Sequence, residues 1–252
     1  TVPSLHPSST HTIITVCEKH FEQFELVCVD DGCRDGTVEV LKDYVQKRQL
    51  RVMVNVVHMS FFQGLESAMN AGRDMAIGDF VYEFDDIFVD YEPEALMEVY
   101  ERLLEGYDIV AASSKGKLRF TSRVFYALYN NTRKGMGKIG PETFRIVSRR
   151  AINRIKSMGQ YIPYRKAVYM NCGLKTDTIF YDSKDVNARI KNKTVASERT
   201  SLAFDSFIYF TNILERVSAI ICCVFLVFTV GMGIYLVFEA SNGSKPVEGW
   251  LS

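Results

Sequence analysis

Short apolar runs alternate along the first half of the chain with stretches whose apolar residues recur every three or four positions. The runs ELVCV (25–29), RVMVNVV (51–57), FVYEF (80–84) and DIVAA (108–112) read as buried strands. A helix starting at Thr37 carries Val38, Leu41 and Val45 on one face. A second, over 63–76, turns Leu65, Ala68, Met69, Gly72 and Ala76 inward. A third, over 92–104, aligns Leu96, Val99, Tyr100 and Leu103 and is stopped by Gly106. Strand and helix in alternation predict βαβ units and an α/β domain with a mostly parallel sheet. Such sheets bind ligands at the carboxyl ends of their strands. Asp30-Asp31 and Asp85-Asp86 both stand there. One acidic pair is ordinary turn chemistry. Two pairs, each directly after a buried strand, point to a site.

The pattern changes near the end. Residues 217–238, VSAIICCVFLVFTVGMGIYLVF, are 22 positions without a charge. About 20 apolar residues suffice to cross a bilayer's hydrocarbon core, and a core helix of this length would show a polar face. Upstream stand Arg189, Lys191, Lys193, Arg199 and Arg216, and downstream only Lys245. Positive flanks stay in the cytoplasm, so the large N-terminal part is expected there, with the chain in a membrane (a cell inner membrane). The stretch 201–216 mixes Leu202, Phe204, Phe207 and Phe210 with Asp205, Asn212 and Glu215, as a juxtamembrane helix lying in the interface would. Residues 239–252 then form an extracytoplasmic loop.

Lys+Arg and Asp+Glu both number 30 in the 252 residues. That balance argues against a nucleic-acid partner, since binding phosphate backbones needs a basic excess. The cysteines Cys17, Cys28, Cys33, Cys172, Cys222 and Cys223 form no CxxC pair and read as reduced thiols. The Ser/Pro/Thr-rich start has no signal-peptide pattern, and 1–23 reads as an atypical N-terminal segment ahead of a domain over 24–200.

FELVCVDDGCRDGTVEVL (24–41) resembles the nucleotide-binding segment of family-2 glycosyltransferases with the Rossmann-like GT-A fold: an apolar strand, then DDGS, then DGT. GLESAMNAGRDMAIGDFVYEFDD (64–86) resembles the segment that leads into that family's metal-binding strand. SRVFYALYN (122–130), FRIVSRRAI (144–152), SLAFDSFIYFTN (201–212) and VEGWLS (247–252) are similar to segments of polyprenyl-phosphate glycosyltransferases, the dolichol-phosphate mannose synthase and undecaprenyl-phosphate group.

The resemblance implies an inverting transfer of a hexose from a UDP- or GDP-sugar to a polyprenyl phosphate at the cytosolic membrane face. Asp30, Asp31 and Gly64 would hold the nucleotide sugar, with Asp30 and Asp31 facing base and ribose. Asp85 and Asp86 would hold Mg²⁺ or Mn²⁺ and the diphosphate, with Asp90 nearby. Asp85, Asp86 and Arg145 are the candidate catalytic residues, and Arg123, Arg145 and Arg149 the candidate clamp for the lipid phosphate. Arg189, Lys191 and Lys193 occupy the place of a basic loop that closes on the nucleotide. A phosphate monoester, with a second pKa of about 6, is already nucleophilic at neutral pH. Homo-oligomerisation stays open.

The sequence also departs from the family pattern. The P-x-Y/F-N-E strand is not found in the first residues, and no second span follows Trp250, so the chain reads as truncated at both ends. Ile87 replaces the second Asp of D-x-D, Val89 replaces a Gln, and Phe61-Phe62 replaces an R-N pair. Two other readings therefore remain open: a membrane-bound relic or scaffold without chemistry, and a transferase acting on a glycolipid or polysaccharide hydroxyl.

Overall fold

The computed structural model describes residues 7–33, 36–48, 52–85, 89–116, 120–132, 140–159, 164–183 and 213–242. In chain order these form α1 (Pro7–His20), β1 (Glu25–Asp30), α2 (Thr37–Arg48), β2 (Met53–His58), α3 (Leu65–Met75), β3 (Phe80–Phe84), α4 (Glu94–Leu104) and β4 (Ile109–Ser114). There follow α5 (Phe120–Thr132), β5 (Glu142–Ser148), α6 (Arg149–Ser157), α7 (Arg165–Asn171), β6 (Thr176–Tyr181) and α8 (Ile213–Ser241).

The four strands and three helices expected from the apolar pattern are all present. The sheet departs from a simple parallel one in two ways. It is split into a parallel pair β1-β2 and a four-stranded sheet ordered β3-β5-β4-β6. In the larger sheet β5 runs antiparallel to both β3 and β4, while β4 and β6 are parallel. Strand β5 returns between β3 and β4 after the long excursion through α5, so the α/β alternation of the first half cannot reveal it. Helix α1 is a further addition, since 1–23 reads as irregular in the sequence. Ile14 is buried, and Ile13 and Val16 pack on the core beneath α4.

Strand alternation divides the larger sheet into two faces. Val110, Ala112, Phe144 and Ile146 meet Leu96, Val99 and Leu103 of α4 on one. Ile109 and Val147 meet Ala151, Ile152 and Ile155 of α6 and Val168 and Tyr169 of α7 on the other. Ser148 caps α6 by accepting the Ala151 N–H at 3.1 Å. Every residue of β5 is buried, Arg145 included.

The span Glu215–Ser241 of α8 is long and apolar enough to cross a membrane, and none of its apolar window is buried against the rest of the protein. A core helix would be covered. Residues 201–212 of the expected interface helix lie outside the described residues, and 213–216 belong to the first turn of α8. The six cysteines are free, and burial pushes the Cys17 and Cys28 thiols up to about 11, helped for Cys17 by Glu18.

Helix α3 reaches β1 closely through Gly72. A Cβ there would sit 2.8 Å from Val29 Cγ2, on a β-branched side chain with little rotamer freedom. Alanine is the better helix former by about 1 kcal/mol, but overpacking typically costs about 1–3 kcal/mol. Gly72→Ala should therefore lower stability in urea denaturation, by about 1 kcal/mol. The double variant with Val29→Ala should be more stable than the sum of the single effects predicts.

Candidate active site

The first acidic loop is held by its own backbone. Asp31 accepts the Gln63 N–H on Oδ1 and the Gly64 N–H on Oδ2, both at 2.7 Å. Gly32, at φ 75°, lets residues 61–62 approach: a Cβ would lie 3.0 Å from the Phe62 nitrogen. Gly64, at φ 89°, leads into α3. Asp30 accepts the Cys33 N–H at 2.8 Å, and His58 Nδ1 lies 3.0 Å from its other oxygen. Partial burial works to raise the Asp30 carboxyl, but the Cys33 and His58 contacts outweigh it and hold it below the usual range.

The second loop is held by buried charge. Strand pairing sets Arg145 opposite Glu83 of β3 and opposite Ala111 of β4, whose methyl leaves room for a guanidinium. All three guanidinium nitrogens of Arg145 donate to carboxylates: Glu142 at 3.3 Å, Glu83 at 3.0 Å and Asp85 at 2.8 Å. Asp85 shares the Glu83 face because it is two residues further along. Its other oxygen accepts from Arg165 Nη2 at 2.8 Å. Arg165, at the start of α7, also donates to Glu83 at 2.6 Å and to Glu66 of α3 at 3.0 Å. Lys166 Nζ lies 3.5 Å from Asp85 and donates to the Glu142 carbonyl at 2.9 Å. Tyr169, one turn along α7 from Arg165, donates to Glu83 and accepts from Arg73.

Burial works against the Asp85 charge. Arg145, Lys166 and Arg165 more than offset it and hold that carboxyl well below the usual range. Removing so many charges from water is expensive, and it is tolerated only where pairing is nearly complete. Clusters of this kind concentrate at functional sites.

The two loops meet at the amino end of α3. Asp31 binds Gly64, and two residues later Glu66 binds Arg165, which binds Asp85. Arg149 lies apart from the cluster, donating to the carbonyls of Ala76 at 2.8 Å and Gly78 at 3.0 Å. Arg123 is exposed on α5. Asp90 accepts the Tyr181 hydroxyl at 2.8 Å. Asp86 and Ile87, and the basic positions Arg189, Lys191 and Lys193, lie outside the described residues. Glu66, Glu83, Glu142, Arg165, Lys166 and Tyr169 belong to the cluster without being marked by any motif in the sequence. The signals that could have found some of them are a carboxylate inside an apolar strand, as in FVYEF, and adjacent cations opening a helix, as in YRKAV.

The described residues offer a divalent cation a poor fit. Both Asp85 oxygens are taken by guanidinium groups, and only Glu142 Oε1 among the cluster's buried carboxylate oxygens lacks a hydrogen-bond partner. No group of three or more His, Cys, Asp or Glu among the described residues could hold a metal.

Residues 10–161 match the family described as Glycosyl transferase family 2. The chain belongs to that family. A relative, a glycosyltransferase of Synechocystis sp., is 32% identical over 168 residues, covering 63% of this chain and 51% of that protein. A bactoprenol glucosyl transferase of Shigella phage SfX is 27% identical over 270 residues, covering 100% of this chain and 84% of that one. The chain thus spans about half the length of the first relative and most of the second. Among solved structures, a 4-diphosphocytidyl-2C-methyl-D-erythritol synthase of Anaerococcus prevotii superposes with a TM-score of 0.50 at 12% identity, over 79% of this chain and 88% of that one. That likeness speaks for the fold alone, and with the family it bears out the expected GT-A class. The resemblance to polyprenyl-phosphate glycosyltransferases holds as well, and the phage relative carries it over the whole chain.

Arg145→Leu would take the guanidinium from Glu142 and leave Glu83 and Asp85 one cation short in the interior, and should cost about 3–5 kcal/mol in thermal or chemical unfolding. Because the folded Asp85 carboxyl lies below its unfolded value of about 3.9, its stabilising contribution is present above that pH and is lost as pH falls below it. Asp85→Asn should therefore be less stable than wild type at neutral pH, and its Tm should fall less steeply below about pH 4.

Proposed function

We propose that the chain is an inverting glycosyltransferase that moves a hexose from a UDP- or GDP-sugar to a polyprenyl phosphate at the cytosolic face of a membrane. The observation that carries this reading is the meeting of the two acidic loops at the amino end of α3. It ties the Asp30-Asp31 loop to a cluster of guanidinium and ammonium groups. Relatives named for bactoprenol and the apolar span of α8 support the acceptor and the membrane.

In this reading a phosphate oxygen of the acceptor attacks the anomeric carbon from the face opposite the nucleotide. The bond from that carbon to the diphosphate breaks, and the nucleoside diphosphate leaves with the electron pair. The acceptor is ionised already, so no proton has to be removed. Asp85 suits this, because a carboxyl held so far down is a weak base. A sugar hydroxyl acceptor would require a better one.

Each residue then has a specific task. Asp31, with both oxygens on backbone N–H groups, shapes the loop against which Asp30 and Gly64 present the nucleotide. Arg145 and Arg165 fix Asp85, and Asp85 in turn holds Lys166. Lys166 gives one N–H to a carbonyl and faces Asp85 with a second, which leaves a third for an incoming phosphate, so it is the cation best placed to take charge from the leaving group. The poor fit for Mg²⁺ or Mn²⁺ gives this side-chain charge the larger share. It also favours the second reading, a relic that keeps the fold without the chemistry.

Membranes carrying the protein, supplied with undecaprenyl phosphate and radiolabelled UDP-glucose or GDP-mannose, should form organic-extractable label. Lys166→Ala should lower that rate roughly 10²-fold. No label from any nucleotide sugar would defeat the enzyme reading. Calorimetric titration with UDP and GDP would then separate a relic that still binds from one that does not.

A further inference from the structure

Glu66, in the first turn of α3, has no task in the proposed reaction, yet the fold encloses it: its side chain is 9% exposed. A buried carboxylate has to be matched, and one oxygen of Glu66 meets two donors of a single residue. Oε2 accepts the Arg165 backbone N–H at 2.9 Å and Arg165 Nε at 3.0 Å. That backbone N–H is the first of α7, where a helix leaves donors without intrahelical partners. Tyr164 precedes it and makes no side-chain cap. Glu66 therefore caps α7 from a different helix.

The Nε bond fixes more than the main chain. With Nε on Glu66 the guanidinium plane is set, and its other two nitrogens reach Glu83 at 2.6 Å and Asp85 at 2.8 Å. Lys166 is the next residue, and its ammonium lies 3.5 Å from Asp85. Glu66 thus sets Lys166 twice, through the chain that carries it and through the carboxylate that faces it. A second tie fixes the angle between the helices. Arg73, about two turns along α3 from Glu66 and on the same face, donates at 3.3 Å to Tyr169, about one turn along α7 from Arg165. Just ahead of α3 stands Gly64, whose N–H Asp31 accepts. The loop proposed to hold the nucleotide and the cation proposed to receive its charge are therefore registered through the amino end of one helix. An apolar pair would hold α3 on α7 with less desolvation, whereas a doubly bonded carboxylate adds direction.

We infer that Glu66 is a positioning residue for sugar transfer: it caps α7 and orients Arg165 so that the Lys166 ammonium stands in register with the Asp30-Asp31 loop. The inference rests on the proposed transfer, with Lys166 as the cation that takes up leaving-group charge. In this role Glu66 acts through Arg165 and Lys166 and touches no substrate. Its loss leaves nucleotide-sugar binding in place, slows the step in which the bond to the diphosphate breaks, and matters only while Lys166 is present.

A double-mutant cycle tests this. Transfer of radiolabelled sugar to undecaprenyl phosphate is measured for the full chain as wild type, Glu66→Gln, Lys166→Ala and the double variant. Glutamine keeps the shape of Glu66 and loses its charge. Rates are divided by the nucleotide sites counted in calorimetric titration of each purified protein with UDP or GDP, so that a misfolded fraction drops out. Glu66→Gln should lower kcat about 10-fold, with KM for the nucleotide sugar within about twofold of wild type. On Lys166→Ala the same change should lower kcat by less than about twofold, because the cation it positions is gone. Equal losses of kcat in both backgrounds, a loss confined to KM, or an unchanged kcat in Glu66→Gln overturns the inference and leaves Glu66 a structural ion pair. A wild type that forms no label defeats the transfer reading itself, and this inference with it.

Discussion

A guanidinium in the middle of a fully buried strand has to be surrounded by carboxylates, and Arg145 places that demand on the rest of the domain. Glu83 meets it across the sheet, Glu142 from the same strand, and Asp85 from the end of β3. Three carboxylates overcompensate one cation. Arg165 and Lys166 restore the balance from α7, and Arg165 extends the network to Glu66 of α3. Elements far apart in sequence are thereby held together by a requirement of charge. Hydrophobic packing fills the two faces of the sheet, but the ion network fixes where the ends of β3, α3 and α7 lie.

Much of the fold was legible because periodicity is local. ELVCV, FVYEF and DIVAA announce strands by composition, and the intervening helices by spacing. Strand β5 was not legible as a strand: FRIV is short, contains an arginine and pairs with strands more than thirty residues earlier. Asp30, Asp31 and Asp85 stood out because acidic pairs at strand ends are a visible pattern. The partners of Asp85 did not, since the links from Arg165 to Glu66, Glu83 and Asp85 cross 99, 82 and 80 residues. A buried arginine and a solvated one look alike in a sequence, which is why Arg145 and Arg123 stood there as equals. In the structure one is sealed within the sheet and the other lies on the surface.

The acidic pairs also show that a carboxylate at the carboxyl end of a strand need not be aimed at a ligand. Asp31 spends both oxygens on consecutive N–H groups, as a capping residue would, and so defines the shape of the cradle. Asp85 spends both on guanidinium groups and sets the positions of cations. In each case the acid organises the donors around it.

The split between β1-β2 and the four-stranded sheet has a mechanical meaning. Among the described residues no strand ladder joins the two; α3, packed on β1 through Gly72 and tied at Glu66 to Arg165, couples them, together with the Ile77 N–H that Glu25 of β1 accepts at 2.6 Å. Ladders resist shear with many directional bonds, whereas a helix seated on a side-chain ion pair can tilt. The smaller sheet, with its Asp31 loop, is thus tied to the charge cluster through α3 and to the approach of β3 through Glu25. Any change of charge at Asp85 would be felt, through Arg165 and Glu66, far away in sequence at the Asp31 loop.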